Sequence, residues 1–504
     1  MKIKTLFILT LFLSIISCNK EDFENQKTPI ITIIEALDIE MNQSSFKLKL
    51  ENKPITEIEI GICWSTTSNP TINNNKIVIN NDLLVNPIVT ISNLEANTTY
   101  YVKSYIISGS EIYYSNELQI NTKSLEILCE SIHKFDIEYD ERAKIVRKTN
   151  DGGFIVCGWT NPVFGANVNV FNLVILKYNS NCNLMWQKVI PNHLNVYNLI
   201  EDSNGDILLL TQGNGIGYNF PVLIKMNSQG NIIWNYEYIK ETYSSLKDII
   251  KTNDGNYLLV GTYANSAFER FGWLAKINSD GQLIYEKSFP KEEMMIGKSI
   301  INGNSVNEFY VVGDLENEST FLYKINSLGN IIWRKKVSTE PTDINRSIIK
   351  TIDNKLLISG TTKRMGPNTH NLWLVKLDLD GNIIWENGIG KEHYIFNTDG
   401  NDSPTEVIQS ESGAIYITGG AGFYPSENSP TLQSNIWLFK INQNNGNIIW
   451  SKEFGSNDYY TWDLSYSLTE LNNGELVIVG NKEDEEPTTP SMNGDFWIIK
   501  LKEN

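Results

Sequence analysis

Residues 375–385 read Val-Lys-Leu-Asp-Leu-Asp-Gly-Asn-Ile-Ile-Trp, and this stretch decides the fold because close copies of it recur along the chain. Each copy places a lysine between apolar residues, then a polar turn, then an apolar pair and an aromatic residue. Internal repetition at a period of about 50 residues indicates a repeat architecture. The further copies are residues 176–186, 224–234, 275–285, 323–333 and 439–450, with a shortened one at 499–501.

A second motif precedes each copy and completes the repeated unit. It reads Ile-x-x-x-x-Asp-Gly-x-apolar-x-apolar-x-Gly-Thr, and its turn falls near residues 151, 204, 254, 304, 353, 412 and 473. Each unit therefore holds four short apolar runs joined in pairs by tight turns, which predicts a four-stranded antiparallel sheet. Seven such sheets predict an all-β fold with a seven-bladed β-propeller over residues 124–504. Because the last unit lacks its fourth strand, we expect residues 133–137 to supply it and close the ring.

The repeated aromatic residue gives this region a family resemblance. The apolar pair followed by tryptophan resembles the tryptophan-docking motif of quinoprotein-like propellers, in which each tryptophan packs against the next blade. The redox members of that family typically carry adjacent cysteines beneath their cofactor, whereas this sequence has no Cys-Cys pair. The resemblance therefore implies the fold, and we expect no cofactor. The spacing of the carboxylates singles out no catalytic residue.

A targeting signal occupies the N-terminus. Lys2 and Lys4 precede an apolar run over residues 5–17, which is too short to span a bilayer and is typical of a secretory signal. The run ends in Ile-Ile-Ser-Cys, which resembles a bacterial lipobox. The resemblance implies that residues 1–17 are a lipoprotein signal peptide and that Cys18 is the lipidated residue.

The residues after this cysteine indicate where the protein goes. Asn-Lys-Glu-Asp at positions 19–22 resembles the signal that sends Bacteroidota lipoproteins to the cell surface. The resemblance implies a lipid anchor in the outer membrane and a body that faces the cell exterior. Residues 18–27 would then be a lipidated tether, and the membrane is the expected partner of the N-terminus.

Residues 28–123 predict a separate small domain. Short apolar runs alternate here with polar breaks, and about seven strands in this length indicate a β-sandwich. The segment Leu-Glu-Ala-Asn-Thr-Thr-Tyr at 94–100 resembles the tyrosine corner of fibronectin type III domains, in which the tyrosine hydroxyl binds nearby backbone. We expect Trp64 to be a core residue of this fibronectin type III-like sandwich.

The composition excludes several partners and sites. The 504 residues contain 42 Lys and Arg against 59 Asp and Glu, a net charge of −17, which argues against nucleic acid as a partner. His193, His370 and His393 fall in separate variable loops, which is not the spacing of zinc ligands, so we expect no metal centre, while bound calcium is left open. One disulfide could form in an oxidising compartment, but its pairing stays open among Cys63, Cys129, Cys157 and Cys182.

Strand alternation predicts where a ligand would bind. The tight turns must share one end of the propeller, so the longer and more variable connections share the other end, and binding residues favour such loops. Aromatic rings beside polar groups suit glycans or peptides. The candidate ligand-binding residues on these loops are Trp159, His393, Tyr394, Tyr424, Tyr459, Tyr460 and Trp462. The competing interpretation is that these aromatics pack locally against the blades.

Three functions fit these observations. The first is a cell-surface lipoprotein that binds a glycan, a peptide or a partner protein through the variable-loop face. The second is a surface glycan-active enzyme, a hydrolase or lyase, which for glycoside hydrolysis requires a close carboxylate pair. The third is a non-catalytic structural accessory of an outer-membrane complex. An architecture by itself does not choose between them.

Overall fold

The computed structural model shows an all-β protein. It describes residues 28–52, 58–79, 86–135, 140–161, 171–215, 218–294, 296–315, 320–338, 344–362, 371–390, 394–395, 406–423, 433–455, 463–483 and 494–504. No α-helix occurs in these segments, so they contain no helix of the length and apolarity needed to cross a bilayer. The chain divides into two compact units between Lys123 and Ser124. The predicted signal peptide, Cys18 and the tether lie outside the described residues.

The first unit forms two antiparallel sheets. One is ordered β1-β2-β5, and the other is ordered β4-β3-β6-β7 with β8 also paired to β6. The strands are β1 (Ile30–Leu37), β2 (Gln43–Glu51), β3 (Ile58–Ser65), β4 (Asn75–Ile79), β5 (Ile88–Ser92), β6 (Thr99–Ser108), β7 (Glu111–Tyr114) and β8 (Leu118–Asn121).

Alternating side chains of these strands build one apolar core. Phe46, Ile62 and Val102 are fully buried in it, and the partly buried Trp64 packs against it. The Tyr100 hydroxyl oxygen accepts a hydrogen bond from the backbone N–H of Glu95 at 3.0 Å. This is the local contact that the tyrosine-corner pattern predicts.

The second unit consists of consecutive antiparallel sheets that are mostly four-stranded, and it is propeller-like. The strands of the first four sheets are β10 (Asp140–Lys148), β11 (Phe154–Asn161), β12 (Asn172–Tyr178), β13 (Leu184–Pro191); β14 (His193–Glu201), β15 (Ile207–Gly215), β16 (Tyr218–Met226), β17 (Ile232–Glu237); β18 (Tyr243–Lys251), β19 (Tyr257–Ala264), β20 (Arg270–Ile277), β21 (Leu283–Phe289); and β22 (Ile296–Asn302), β23 (Glu308–Asp314), β24 (Thr320–Asn326), β25 (Ile331–Lys336).

Three more sheets complete the described part of this unit. Their strands are β26 (Ile344–Lys350), β27 (Leu356–Thr362), β28 (Asn371–Leu377), β29 (Ile383–Ile389); β30 (Tyr394–Ile395), β31 (Glu406–Gln409), β32 (Ile415–Phe423), β33 (Gln433–Ile441), β34 (Ile448–Phe454); and β35 (Leu464–Glu470), β36 (Glu475–Glu483), β37 (Gly494–Glu503), with β9 (Leu125–His133) as the fourth strand of the last sheet.

One strand of each sheet lies innermost, and it is the first strand except in the sixth sheet, where β31 pairs with β32 beside the short β30. These inner strands are β10, β14, β18, β22, β26, β31 and β35; each contacts the next, and β35 contacts β10. The fourth strand lies at the outer edge, where the repeated apolar pair is half-exposed: Ile383 is 47% and Ile384 is 49% exposed. The inner strands therefore surround a common axis.

The strand that completes the last sheet lies earlier in the sequence than expected. The prediction placed it at residues 133–137, but the pairing strand is β9, with Leu125 opposite Glu503 and His133 opposite Phe496. The physical reason is that β37 continues to Glu503, so its partner must extend back to Leu125 to satisfy the backbone groups. The prediction that a segment from before the first sheet completes the last one is correct, and its boundaries were wrong.

A buried lysine and an aromatic residue together join the fifth sheet to the sixth. In the fifth sheet, the Lys376 ammonium donates to Asp353 Oδ2 at 2.7 Å and to the backbone oxygen of Gln443 in the following sheet at 3.0 Å. The Trp385 indole N–H donates to the same Gln443 oxygen at 3.1 Å. Gly446 in this turn has φ +72, and a Cβ there would lie 2.6 Å from the Trp385 ring. The two sequence motifs recur together because their lysine and acid bind each other.

The same joint recurs around the unit with small changes. Trp186 donates to the Ser228 oxygen at 3.1 Å, and the Tyr285 hydroxyl donates to the Ser327 oxygen at 2.7 Å. Between the sixth and seventh sheets, the Glu503 carboxylate replaces the turn carbonyl and accepts from Trp450 at 3.1 Å and from Lys440 at 3.2 Å.

A disulfide replaces the aromatic joint where the last sheet meets the first. Cys129 pairs with Lys500 as Trp385 pairs with Lys376, so it occupies the aromatic position of β9. Cys182 occupies the glycine position of the following turn and is bonded to Cys129. Of the other described cysteines, Cys63 and Cys157 are buried thiols. The disulfide therefore joins the outer strand of the last sheet to the β12–β13 turn of the first sheet.

Replacement of Lys376 by methionine is expected to lower the free energy of unfolding by about 2 kcal/mol, because Asp353 and the Gln443 carbonyl lose a charged donor. Burial opposes ionisation of Asp353, but the hydrogen bond from Lys376 outweighs it and lowers the pKa of Asp353. This stabilisation is present above the unfolded carboxyl pKa of about 4 and is lost as the pH falls further. Urea denaturation at neutral and acidic pH measures both effects. The variant Lys336→Met, at an exposed position, should have the same free energy of unfolding as wild type. If Lys376→Met is as stable as wild type, Lys376 does not stabilise the contact between the two sheets.

Reduction of the Cys129–Cys182 disulfide is expected to lower the melting temperature. The bond closes a loop with a sequence separation of 53 residues, and loop-closure entropy gives up to about 4 kcal/mol for such a loop. Calorimetry with and without reductant measures the effect. The Cys129→Ala/Cys182→Ala variant should melt at the lower temperature both with and without reductant. If reductant leaves the melting temperature of the wild-type protein unchanged, the disulfide does not stabilise the fold.

Candidate functional site

A cavity of about 1140 Å³ lies between the inner strands of the second unit. We call it the central cavity. Its wall includes residues of all seven inner strands, among them Lys144, Tyr197, Lys247, Lys298 and Tyr466. A cavity of this size exceeds the range of about 300–1,000 Å³ that is usual for a small-molecule site.

Irregularities in the pairing of the inner strands place particular side chains on the wall of this cavity. In six inner strands the pairing skips one residue near the start of the strand: Lys144, Tyr197, Lys247, Lys298, Arg346 and Tyr466. A β-bulge re-aims the side chain of the extra residue. Five of these residues line the cavity, while the Arg346 side chain lies outside the described part of the chain. We call these five residues the bulge ring.

Hydrogen bonds between neighbouring inner strands hold the residues next to the bulge ring in place. The buried Asp248 carboxylate accepts from the Asn198 amide at 2.6 Å, the Ser299 hydroxyl at 2.8 Å and the backbone N–H groups of Ile249 at 2.8 Å and Ile300 at 2.9 Å. Burial raises the pKa of Asp248, while these four donors act in the opposite direction. Asp248 thus connects three neighbouring inner strands.

Glu406 likewise connects neighbouring inner strands, on the other side of the cavity. Its carboxylate accepts from the Arg147 guanidinium at 2.8 Å and from the backbone N–H of Leu468 at 3.0 Å, and it also binds the Ser467 hydroxyl. The Arg147 guanidinium reaches across to Asn198 at 3.2 Å. This network links the inner strands of the sixth, seventh, first and second sheets.

Aromatic rings hold the cations of the bulge ring in place. The Lys247 ammonium lies 4.3 Å from the centroid of the Tyr197 ring and 3.1 Å from its hydroxyl oxygen. The Lys144 ammonium lies 3.7 Å from the centroid of the Tyr466 ring. Each pair joins adjacent sheets, and a cation over a ring face is attracted by the electron-rich face.

The described wall of the cavity carries more positive than negative charge. Six of these residues are Lys or Arg, whereas Asp248 and Glu406 are the acids. Glu406 neutralises Arg147, and Asp314 outside the wall binds Lys298 at 2.5 Å. The acids of the wall are therefore committed to supporting the inner strands.

Of the predicted ligand-binding residues, the structure places Trp159 at the cavity. Trp159 is 9% exposed, packs edge-on against Phe171 and lies 5.4 Å from the Arg142 guanidinium. Tyr394 belongs to β30, and its side chain is not described. The other predicted residues lie outside the described residues: His393, Tyr424, Tyr459, Tyr460 and Trp462.

No metal site is found among the described residues, where no group of three His, Cys, Asp or Glu side chains comes together. His193 is buried, and its Nδ1 lies 3.0 Å from the Thr211 hydroxyl. Burial lowers the pKa of His193 to about 4, so its ring is neutral at physiological pH. His193 is therefore a structural residue of β14.

The sequence reasoning missed the bulge ring. The available signal was a basic or tyrosyl residue after a small or apolar residue in the inner strands, as in Ala143-Lys144, Leu246-Lys247 and Gly297-Lys298. Simple alternation does not separate these residues from solvent-facing lysines, because a bulge changes which face a side chain occupies.

Comparison with known proteins gives similarity of structure only. No family model matches the chain, and no curated protein matches its sequence. A protein of unknown function from Dyadobacter fermentans aligns at 9% identity and a TM-score of 0.44, covering 75% of this chain and 99% of its own. The periplasmic gluconolactonase of Pseudomonas aeruginosa aligns at 9% identity and a TM-score of 0.42, covering 79% of this chain and 97% of its own.

Replacement of Asp248 by asparagine is expected to lower the free energy of unfolding by about 2 kcal/mol. The new amide N–H group would face backbone donors that now bind a carboxylate oxygen, which leaves buried donors unsatisfied. Urea denaturation measures the change. Asp280→Asn in an exposed turn is the matched control, and equal stability of both variants would show that Asp248 does not connect the inner strands.

Proposed function

We propose that this chain is a lipid-anchored protein of the outer cell surface whose propeller binds a ligand at its loop-bearing end. The observation that carries the proposal is the central cavity, where aromatic and cationic side chains from several inner strands converge. Concave sites that combine apolar faces with a few oriented polar groups are the usual ligand sites of proteins. The ligand class in this proposal is a glycan, a peptide or a partner protein.

The proposed architecture is a fibronectin type III-like sandwich followed in the sequence by a seven-bladed propeller. The consecutive sheets and the contact between β35 and β10 support the closed ring. The hydrogen bond between Tyr100 and Glu95 supports the sandwich assignment. The lipobox-like sequence that ends at Cys18 supports the anchor, with the sandwich as a spacer.

Binding is favoured over glycan hydrolysis by the state of the cavity carboxylates. Glycoside hydrolysis needs one carboxyl group as an acid and a second as a nucleophile or base. Among the described wall residues, Asp248 is surrounded by four donors, and Glu406 is bound by Arg147. Neither oxygen pair is presented to a substrate.

The expected outcome of a binding screen follows from this assignment. Residues 19–504, which retain both units, are screened against arrays of glycans and cell-surface proteins. The Tyr197→Ala/Tyr466→Ala variant should bind its ligand at least about tenfold more weakly, because both rings line the cavity.

The matched control alters the tight-turn end. Leu328 and Ile352 are 67% and 68% exposed on the tight turns, so Leu328→Ala/Ile352→Ala should bind as wild type does. If this control loses ligand binding and the tyrosine variant retains it, the binding site lies at the tight-turn end and the assignment is wrong. If the screen finds no ligand, the binding function is contradicted and the structural-accessory function is favoured.

A further inference from the structure

Resting on the proposed binding function, we infer that the central cavity takes an acidic sugar chain, whose carboxylates meet the bulge-ring lysines and whose rings meet the tyrosines. Nothing in the overall composition suggests this, because the chain as a whole has a net charge of −17. The inference rests on where the chain places its cations.

The charge of the cavity wall is opposite to that of the chain. An acidic protein repels anions from most of its surface, so a cationic cavity concentrates the local attraction at one place. Lys144, Lys247 and Lys298 occupy equivalent bulge positions, and the structure places all three on the wall. Lys298 is bound by Asp314 at 2.5 Å, whereas Lys144 and Lys247 lie against tyrosine rings, so these two are the bulge-ring cations proposed to bind the negative groups of a ligand.

The pairing of lysine with tyrosine narrows the ligand class. Tyr197 is fixed by its hydroxyl, which donates to Gln212 at 2.6 Å, and Lys247 lies against its ring. Lys144 lies against the ring of Tyr466 in the same way where the seventh sheet meets the first, although Tyr466 is 5% exposed. The partly exposed Tyr197 ring next to the Lys247 ammonium matches a pyranose that carries a carboxylate, because the sugar face packs on the ring while the carboxylate binds the ammonium.

The remaining wall residues and the cavity size agree with a sugar chain. Asn195 and Gln212 bring neutral amides to the same wall, and amides donate to and accept from sugar hydroxyls. A volume of about 1140 Å³ accommodates several sugar residues. A polyanionic peptide would bind the same lysines but would make fewer contacts with the neutral amides and the tyrosine rings.

The test compares one oligosaccharide in two charge states. Isothermal titration calorimetry measures binding of tetragalacturonate and of its methyl ester to residues 19–504 at neutral pH. The acid form is expected to bind at least about tenfold more tightly than the ester, because each lost charged contact costs roughly that factor. Affinity for the acid form should also fall as the salt concentration rises.

Matched variants locate the site. Lys144→Met/Lys247→Met retains the side-chain stems and removes two charges from the cavity, and it should weaken binding of tetragalacturonate at least about tenfold. Lys188→Met/Lys336→Met removes two charges from the outer strands β13 and β25 and should bind within about twofold of wild type. Thermal melting checks that both variants fold, and the wild-type salt dependence tests the inference without any variant.

Three results would overturn this inference. They are equal affinity for the acid and its methyl ester, undiminished binding in the Lys144→Met/Lys247→Met variant, and tighter binding of an oligoglutamate of equal charge. If any of them occurs while Tyr197→Ala/Tyr466→Ala still abolishes binding of another ligand, the proposed binding function stands and the acidic-sugar assignment fails. If no ligand at all depends on those tyrosines, the proposed function fails as well.

Discussion

Neighbouring sheets of the second unit are joined by a buried lysine, an aromatic side chain or both, which bind a turn of the next sheet. The lysine in the third strand needs an acid, because a buried ammonium without partners is costly. That acid lies in the first turn of the same sheet, as in Asp353 with Lys376. Both the lysine and Trp385 then bind a backbone carbonyl of the following sheet. The fold thus depends on one joint that the repeat supplies many times.

Two joints of the second unit use other groups in place of a turn carbonyl and an aromatic residue. Between the sixth and seventh sheets, the Glu503 carboxylate accepts from Lys440 and Trp450. Where the last sheet meets the first, Cys129 and Cys182 stand in the aromatic and glycine positions and form a disulfide. The bond at this seam joins β9, the outer strand of the last sheet, to the β12–β13 turn of the first sheet.

These joints lie toward the tight turns and the outer strands, which leaves the other end of the inner strands available for a site. At that end the pairing of the inner strands contains bulges, and the extra residues line the central cavity. Asp248 and Glu406 maintain the alignment of the inner strands below this level. The acids of the described wall serve the scaffold, while the cations and tyrosines above them face the cavity.

The repeat, its four-stranded units, the tight turns and the structural role of the repeated aromatic residues are all evident in the sequence, because strand alternation and turn chemistry act over a few neighbouring residues. The sequence also indicates that a segment from before the first sheet completes the last one, though not that this segment is Leu125–His133. The disulfide partners, the half-exposure of Ile383 and Ile384 and the residues of the cavity wall depend on how distant parts of the chain pack together. Lys144 and Lys247 lie 103 residues apart in the chain, about two repeat periods, and Lys247 and Lys298 lie 51 residues apart, about one period. They meet because the inner strands surround one axis, and they face it because of bulges that depend on how each strand pairs with its neighbour.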